Sequence, residues 1–197
     1  MAVGVYQAIK KDGSIYYRAS VTYKRKHLSL GSFSDSETAS TAYLTADRLL
    51  HSELSIHDYE EDCVLSFDKW VCLCNFRDHL VYIKNPIYLH KNYFDYYFTK
   101  DYFLKFDIDD LFYYSEHKIL RRGNHLFVSD YGMQYSISSR YGIRSFAVEG
   151  RDYRFVNGDQ TDYRYENIEI INQYHGVSVH QRKNQILYRT KIHIKST

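Results

Sequence analysis

Proline is almost absent from this chain: Pro86 is the only one in 197 residues. Cysteine is scarce and odd in number, so Cys63, Cys72 and Cys74 offer no even set for a disulfide framework. The N-terminus lacks the charged-then-apolar pattern of a secretory signal, and no apolar run approaches the roughly 18 residues of a membrane span. The expectation is a cytoplasmic protein that contacts no membrane. Cys72-x-Cys74 lacks the second pair, or the His-x-His, that would complete four metal ligands. These thiols are read as buried and structural, and no metal or other cofactor is expected. One further gap is local: residues 172–197 contain no Asp or Glu.

What is present in excess is tyrosine. There are 22, and aromatics reach 17%. Tyrosine and phenylalanine favour strands, and tyrosine also suits binding surfaces because its ring buries area while its hydroxyl bonds a partner. Hydrophobic and charged fractions are ordinary for a globular chain of one or two domains. The net charge of +2 conceals a division along the sequence. Residues 1–33 carry six Lys/Arg against Asp12 alone. Residues 34–60 carry six acids against Arg48, and 61–171 carry 17 acids against 14 bases. Residues 172–197 carry five bases and no acid. Basic ends around an acidic body suit a phosphate backbone.

Val3–Ile9, Ile15–Thr22 and His27–Leu30 are β-prone runs. Lys10-Lys11-Asp12-Gly13-Ser14 separates the first two and carries a strong hairpin signal in Asp-Gly. Lys24-Arg25-Lys26 forms a second turn. Ser34-Asp35-Ser36-Glu37 offers a helix N-cap, and Ala39, Ala42, Tyr43, Ala46, Leu49 and Leu50 follow at helical spacing. The expected organisation is a domain over 1–52, a polar linker over 53–63, a strand-rich domain over 64–173 and a partial hairpin domain over 174–197. Leu80–Ile83, Ile87–Leu89 and Tyr102–Phe106 read as strands. Asp107, Asp109 and Asp110 cluster like a cation site but read as a solvated turn or helix start. Residues 117–171 read as short strands with glycine turns. In the tail, Gly176-Val177-Ser178-Val179 parallels Gly4-Val5-Tyr6, and Ile186–Ile194 parallels Ile15–Val21, a faint internal repeat.

Gly4-Val5-Tyr6, Tyr17-Arg18-Ala19-Ser20-Val21, His27-Leu28-Ser29-Leu30-Gly31-Ser32-Phe33 and the alanine stripe together resemble the apetala-two type DNA-binding domain. The resemblance implies a three-stranded sheet laid in the major groove with a helix behind it. It places Arg18, Lys24, Arg25 and Lys26 near double-stranded DNA, with Lys10 and Lys11 on the hairpin turn. Arginine can fork onto guanine, while turn lysines meet phosphates. The bland alternative is a small domain whose basic turns serve solubility or a protein partner.

A second stretch, Tyr153–Ile171, resembles the HNH nucleases. Asn157-Gly158-Asp159, Asp162, Arg164 and Glu166-Asn167 match that motif. The reacting pair does not match. Arg154 and Phe155 stand at the Asp-His positions, Tyr163 at the first family asparagine, and Ser139 near the upstream histidine. Phenylalanine accepts no proton, and an arginine repels a metal ion. The resemblance therefore implies a scaffold without its catalyst, unless His117, His125 and Asp130 form another site. Tyr174–His180 with Tyr188–Ile192 resembles the opening strands of a second apetala-two type domain. It would add Arg182, Lys183, Arg189 and Lys191 as nucleic-acid contacts; the alternative is a hairpin finishing the main sheet.

The expected fold is α+β, a small three-stranded sheet with a helix followed by a strand-rich domain with a degenerate ββα segment. The expected function is non-catalytic DNA binding by a protein derived from a phage or mobile-element nuclease. The alternative is a phage-encoded inhibitor, of anti-CRISPR type, that binds a host or defence-system nuclease or ribonucleoprotein.

Overall fold

A computed structural model describes residues 3–123, 125–174 and 176–190. Lys10–Ser14 close the first hairpin. Lys10 N donates to Ser14 O at 2.8 Å, and Gly13 N donates to Lys10 O at 3.0 Å. The Asp12 carboxylate accepts from Ser14 N and Ser14 Oγ, and Gly13 takes a φ of +83° that a side chain would resist. On either side run β1 (Val5–Ile9) and β2 (Ile15–Tyr23), and β3 (Lys26–Phe33) completes an antiparallel sheet of order β1-β2-β3.

Helix α1 (Ser36–Leu50) starts at Asp35, whose carboxylate accepts from Thr38 N at 2.7 Å. Ala39, Ala42 and Ala46 are fully buried. Their small side chains bring α1 close to Val5, Ala19, Val21, Leu28 and Leu30 on the inner face of the sheet. Gly4, at φ +73°, shows how close: a Cβ there would lie 2.2 Å from the Tyr43 ring and 2.5 Å from Ser20 O.

Two compact units divide the chain, Met1–Glu116 and His117–Thr197. In the first, the stretch read as a linker is wired into the core. Ile56 is buried, Trp70 Nε1 donates to Ser55 O at 3.0 Å, and Ser55 N donates to the Asp58 carboxylate at 2.7 Å. Arg77 Nη1 donates to the carbonyls of Leu49, Ser52 and Leu54, satisfying groups at and beyond the end of α1. The core is therefore continuous from β1 through Tyr97.

Leu80–Ile83, expected as a strand, is instead the exit of a helix. Helix α2 (Phe67–His79) begins at Ser66, whose hydroxyl accepts from Lys69 N, and ends at Leu80 in the left-handed region (φ +59°), with Leu80 N donating to Phe76 O. Trp70, Val71, Cys72, Leu73, Cys74, Asn75 and Phe76 are all buried. A helix enclosed on every side carries no polar stripe, and so no helical period.

Asn75 joins α2 to the next sheet, its Nδ2 donating to Val81 O and its Oδ1 accepting from Leu89 N. That sheet has the order β4 (Ile87–Leu89), β5 (Tyr93–Thr99), β6 (Tyr102–Asp107). Helix α3 (Leu111–Glu116) sets Tyr114 against it, stacked 4.2 Å from Phe106. Part of the tyrosine surplus is thus core: Tyr96, Tyr97 and Tyr114 are buried.

The second unit holds a sheet of β7 (Ile119–Arg122), β8 (His125–Asp130) and β9 (Met133–Ser136), the short helix α4 (Ile137–Arg140), and the pair β10 (Tyr153–Phe155) and β11 (Ile168–Ile170). Between β10 and β11 lies a loop with a 3-10 turn at Tyr165–Asn167. The ββα order expected for this segment is not formed, since β12 (Val177–Arg182) and β13 (Gln185–Thr190) follow β11 with no intervening α-helix among the described residues. Asn172 directs that exit by donating to Asp152 Oδ1 and Val177 O. The β12–β13 hairpin pairs with no other described strand, so it does not finish a larger sheet. Among the described residues no helix is long and apolar enough to cross a membrane.

Candidate nucleic-acid interface

With α1 on one face of β1-β2-β3, alternation sends every second residue to the other. Arg18 lies at its centre, opposite Tyr6 on β1 and Ser32 on β3. Tyr16 lies beside it on the same strand, and its hydroxyl accepts from Arg18 Nη2 at 2.7 Å, with the guanidinium 5.4 Å from the ring centroid. Both interactions hold the fork upright on the exposed face. A register shift between Ala19 and Ser20 bends β2 just beyond it. Tyr6, 58% exposed, is a ring on this face that no motif in the sequence singles out. Its signal is the alternation that puts Tyr6 and Tyr16 on the side of Arg18.

The two basic turns lie at opposite ends of β2, about 26 Å apart by the strand rise. Lys10 and Lys11 are exposed at one end, and Lys24, Arg25 and Lys26 at the other. Lys24 and Arg25 form the two-residue connection between Tyr23 and Lys26, and both have positive φ, +46° and +67°. Tight hairpins of this geometry favour Asn-Gly, and each ordinary side chain so placed costs about 1 kcal/mol. This strained pair sits at an exposed cationic tip. The double change Lys24→Asn with Arg25→Gly should therefore raise stability by about 1–2 kcal/mol in chemical unfolding.

Four arginines are committed to carboxylates. Arg77, Arg151, Arg154 and Arg164 bond the carboxylates of Asp78, Asp152, Glu169 and Asp162, each at 2.6 Å. Among the described residues no carboxylate pairs with Arg18 or Arg25 in the first sheet or with Arg182 or Arg189 in the last hairpin, and all four are exposed; Arg48, Arg122 and Arg144, elsewhere in the fold, share that state. Lys183 sits at the second hairpin tip with φ +53°. Lys191 lies outside the described residues.

The positions compared with the HNH motif are occupied by structure. Arg154 points outward to its cross-strand partner Glu169. Phe155 and Tyr163 are buried with ring centroids 5.9 Å apart, and the Tyr163 hydroxyl is 3.3 Å from Ser138 Oγ. Asn157, Asp159 and Asn167 build the loop: Asn167 Oδ1 accepts from Asn157 N, Asn167 Nδ2 donates to Asp162 O, and Asn157 Oδ1 accepts from Asp159 N. Asp162 is buried and accepts from Asn157 Nδ2 and Arg164. Burial alone would raise its pKa, but the bonds from the Arg164 side chain and backbone outweigh that and hold it below the ordinary value.

The other candidates do not assemble. His117 Nε2 is 3.7 Å from Asp130 Oδ2, whereas His125 is at the opposite end of β8, about 17 Å along the strand. Asp110 is buried at the start of α3, and the described residues contain no His/Cys/Asp/Glu group that could hold a metal ion. Burial pushes the Cys74 thiol up to about 12. Compared with family models, with curated proteins and with solved structures, the chain finds no match.

Proposed function

We propose that this chain binds double-stranded DNA without cutting it, using the open face and basic turns of β1-β2-β3. The observation that carries this reading is the isolation of Arg18: an exposed guanidinium, oriented by Tyr16, with no carboxylate partner among the described residues and a basic turn at either end of its strand. A sheet this narrow enters the major groove, where Arg18 reads base edges while Lys10, Lys11, Lys24, Arg25 and Lys26 meet phosphates. No catalytic residue is assigned. Phe155 and Tyr163 serve a core and Arg154 an ion pair, which fits a nuclease scaffold, carried by a phage or other mobile element, turned to binding.

A mobility-shift assay with plasmid and short duplex DNA in the presence of magnesium tests this. The expected result is retarded DNA that stays intact. Nicking that a chelator stops would replace the proposal with a metal-dependent nuclease. Unshifted DNA, together with co-purification of a nuclease or ribonucleoprotein, would replace it with an inhibitor of nucleic-acid processing.

A further inference from the structure

Resting on that reading, we propose that β12–β13 forms a second DNA-backbone contact, so that the chain grips the duplex at two places. The two terminal hairpins match in register over their first three pairs. Val5 pairs with Ala19, Tyr6 with Arg18 and Gln7 with Tyr17; Val177 pairs with Thr190, Ser178 with Arg189 and Val179 with Tyr188. Each hairpin is preceded by a glycine of positive φ, +73° at Gly4 and +85° at Gly176. Arg189 therefore occupies on β13 the place of Arg18 on β2, directly behind a tyrosine in both.

Alternation sends Ser178, His180 and Arg189 to one face of the hairpin. Together with Arg151, whose guanidinium is held by Asp152, they line a hollow of about 260 Å³. Ser178 and His180 are themselves joined, Oγ to Nε2 at 3.2 Å. Hydroxyl, imidazole and guanidinium groups around one hollow match the acceptor oxygens of a phosphodiester. Arg182 and Lys183 extend the basic surface to the tip, and no acid occurs anywhere in 172–197 to oppose it. The contrast with β1–β2 lies in reading: Ser178 and Leu187 replace Tyr6 and Tyr16 beside the arginine, so no ring at those positions holds the Arg189 fork upright. The second grip supplies affinity and the first supplies selection.

The test is the salt dependence of duplex binding by the full chain, unaltered, with Arg18→Ala, and with Arg182→Ala, Lys183→Ala and Arg189→Ala combined. The triple variant should reduce the steepness of log Kd against log salt by about 2–3, at roughly 0.9 for each phosphate no longer neutralised, and weaken all sequences equally. Arg189→Lys, which keeps the charge, should retain the unaltered slope, separating the loss of a phosphate partner from a failure to fold. A triple variant with unchanged slope and affinity would overturn the second grip while leaving the first intact. Absence of duplex binding by the unaltered chain would overturn both.

Discussion

Arg18→Ala should lower affinity for a preferred duplex by about 5- to 150-fold, the range set by one bidentate arginine–base pairing of about 1–3 kcal/mol. Folding gives no competing explanation. The side chain is exposed, and among the described residues its polar partner is the Tyr16 hydroxyl; a surface change of this kind alters stability by about 0.5 kcal/mol or less. Arg18→Lys sharpens the argument. It keeps the charge and loses the fork, so the salt slope should hold while discrimination between sequences falls. Arg154→Ala is the matched control, because that guanidinium is already bound to Glu169. Equal binding by Arg18→Ala and the unaltered chain, in a titration followed by fluorescence anisotropy, would remove Arg18 from the interface.

The largest expected effect on stability comes from Asp152→Ala. The Asp152 carboxylate is fully buried and accepts from Val148 N at 2.8 Å, Arg151 Nη2 at 2.6 Å and Asn172 Nδ2 at 2.9 Å, tying three parts of the second unit together. Its removal strands those donors, for about 3 kcal/mol. That corresponds to roughly 12–24 °C in the melting of a unit of this size. The expected signature is lost hydrogen-exchange protection across 148–172. Emission from Trp70, the only tryptophan and buried in the first unit, should change much less.

The pH dependence has the same origin. The side-chain bond from Arg151, with those from Val148 N and Asn172, holds Asp152 far below its ordinary value of 3.8. A carboxylate with a depressed folded pKa contributes fully above its unfolded value, and its contribution disappears as pH falls toward the folded value. Unfolding of the second unit should therefore set in below about pH 4, and Asp152→Ala should flatten that acid limb.

The N-terminal sheet and α1 were legible because local and tertiary preferences agree there. Asp-Gly closes the hairpin, and the alanines recur at helical spacing on the face that α1 buries. Helix α2 was not legible because burial on all sides erases the period. Strand β5 was hidden for a related reason: Phe94, Asp95, Tyr96 and Tyr97 are buried in succession and leave no alternation. The 53–63 stretch is polar like a linker, yet it is held through backbone carbonyls that composition does not reveal. Within the site, the basic residues could be named in advance. The left-handed turn at Lys24-Arg25 could not, since neither glycine nor asparagine marks it. Nor could the pairing of Arg154, whose carboxylate partner Glu169 arrives from the neighbouring strand.

Duplex affinity measured from about 50 to 300 mM salt weighs the whole proposal at once. Phosphates met by the first sheet alone predict a log–log slope of about −4.5, and those of both grips together about −7, at roughly 0.9 each. A flat dependence, or no binding at the lowest salt, would mean that these unpaired arginines and lysines face something other than DNA.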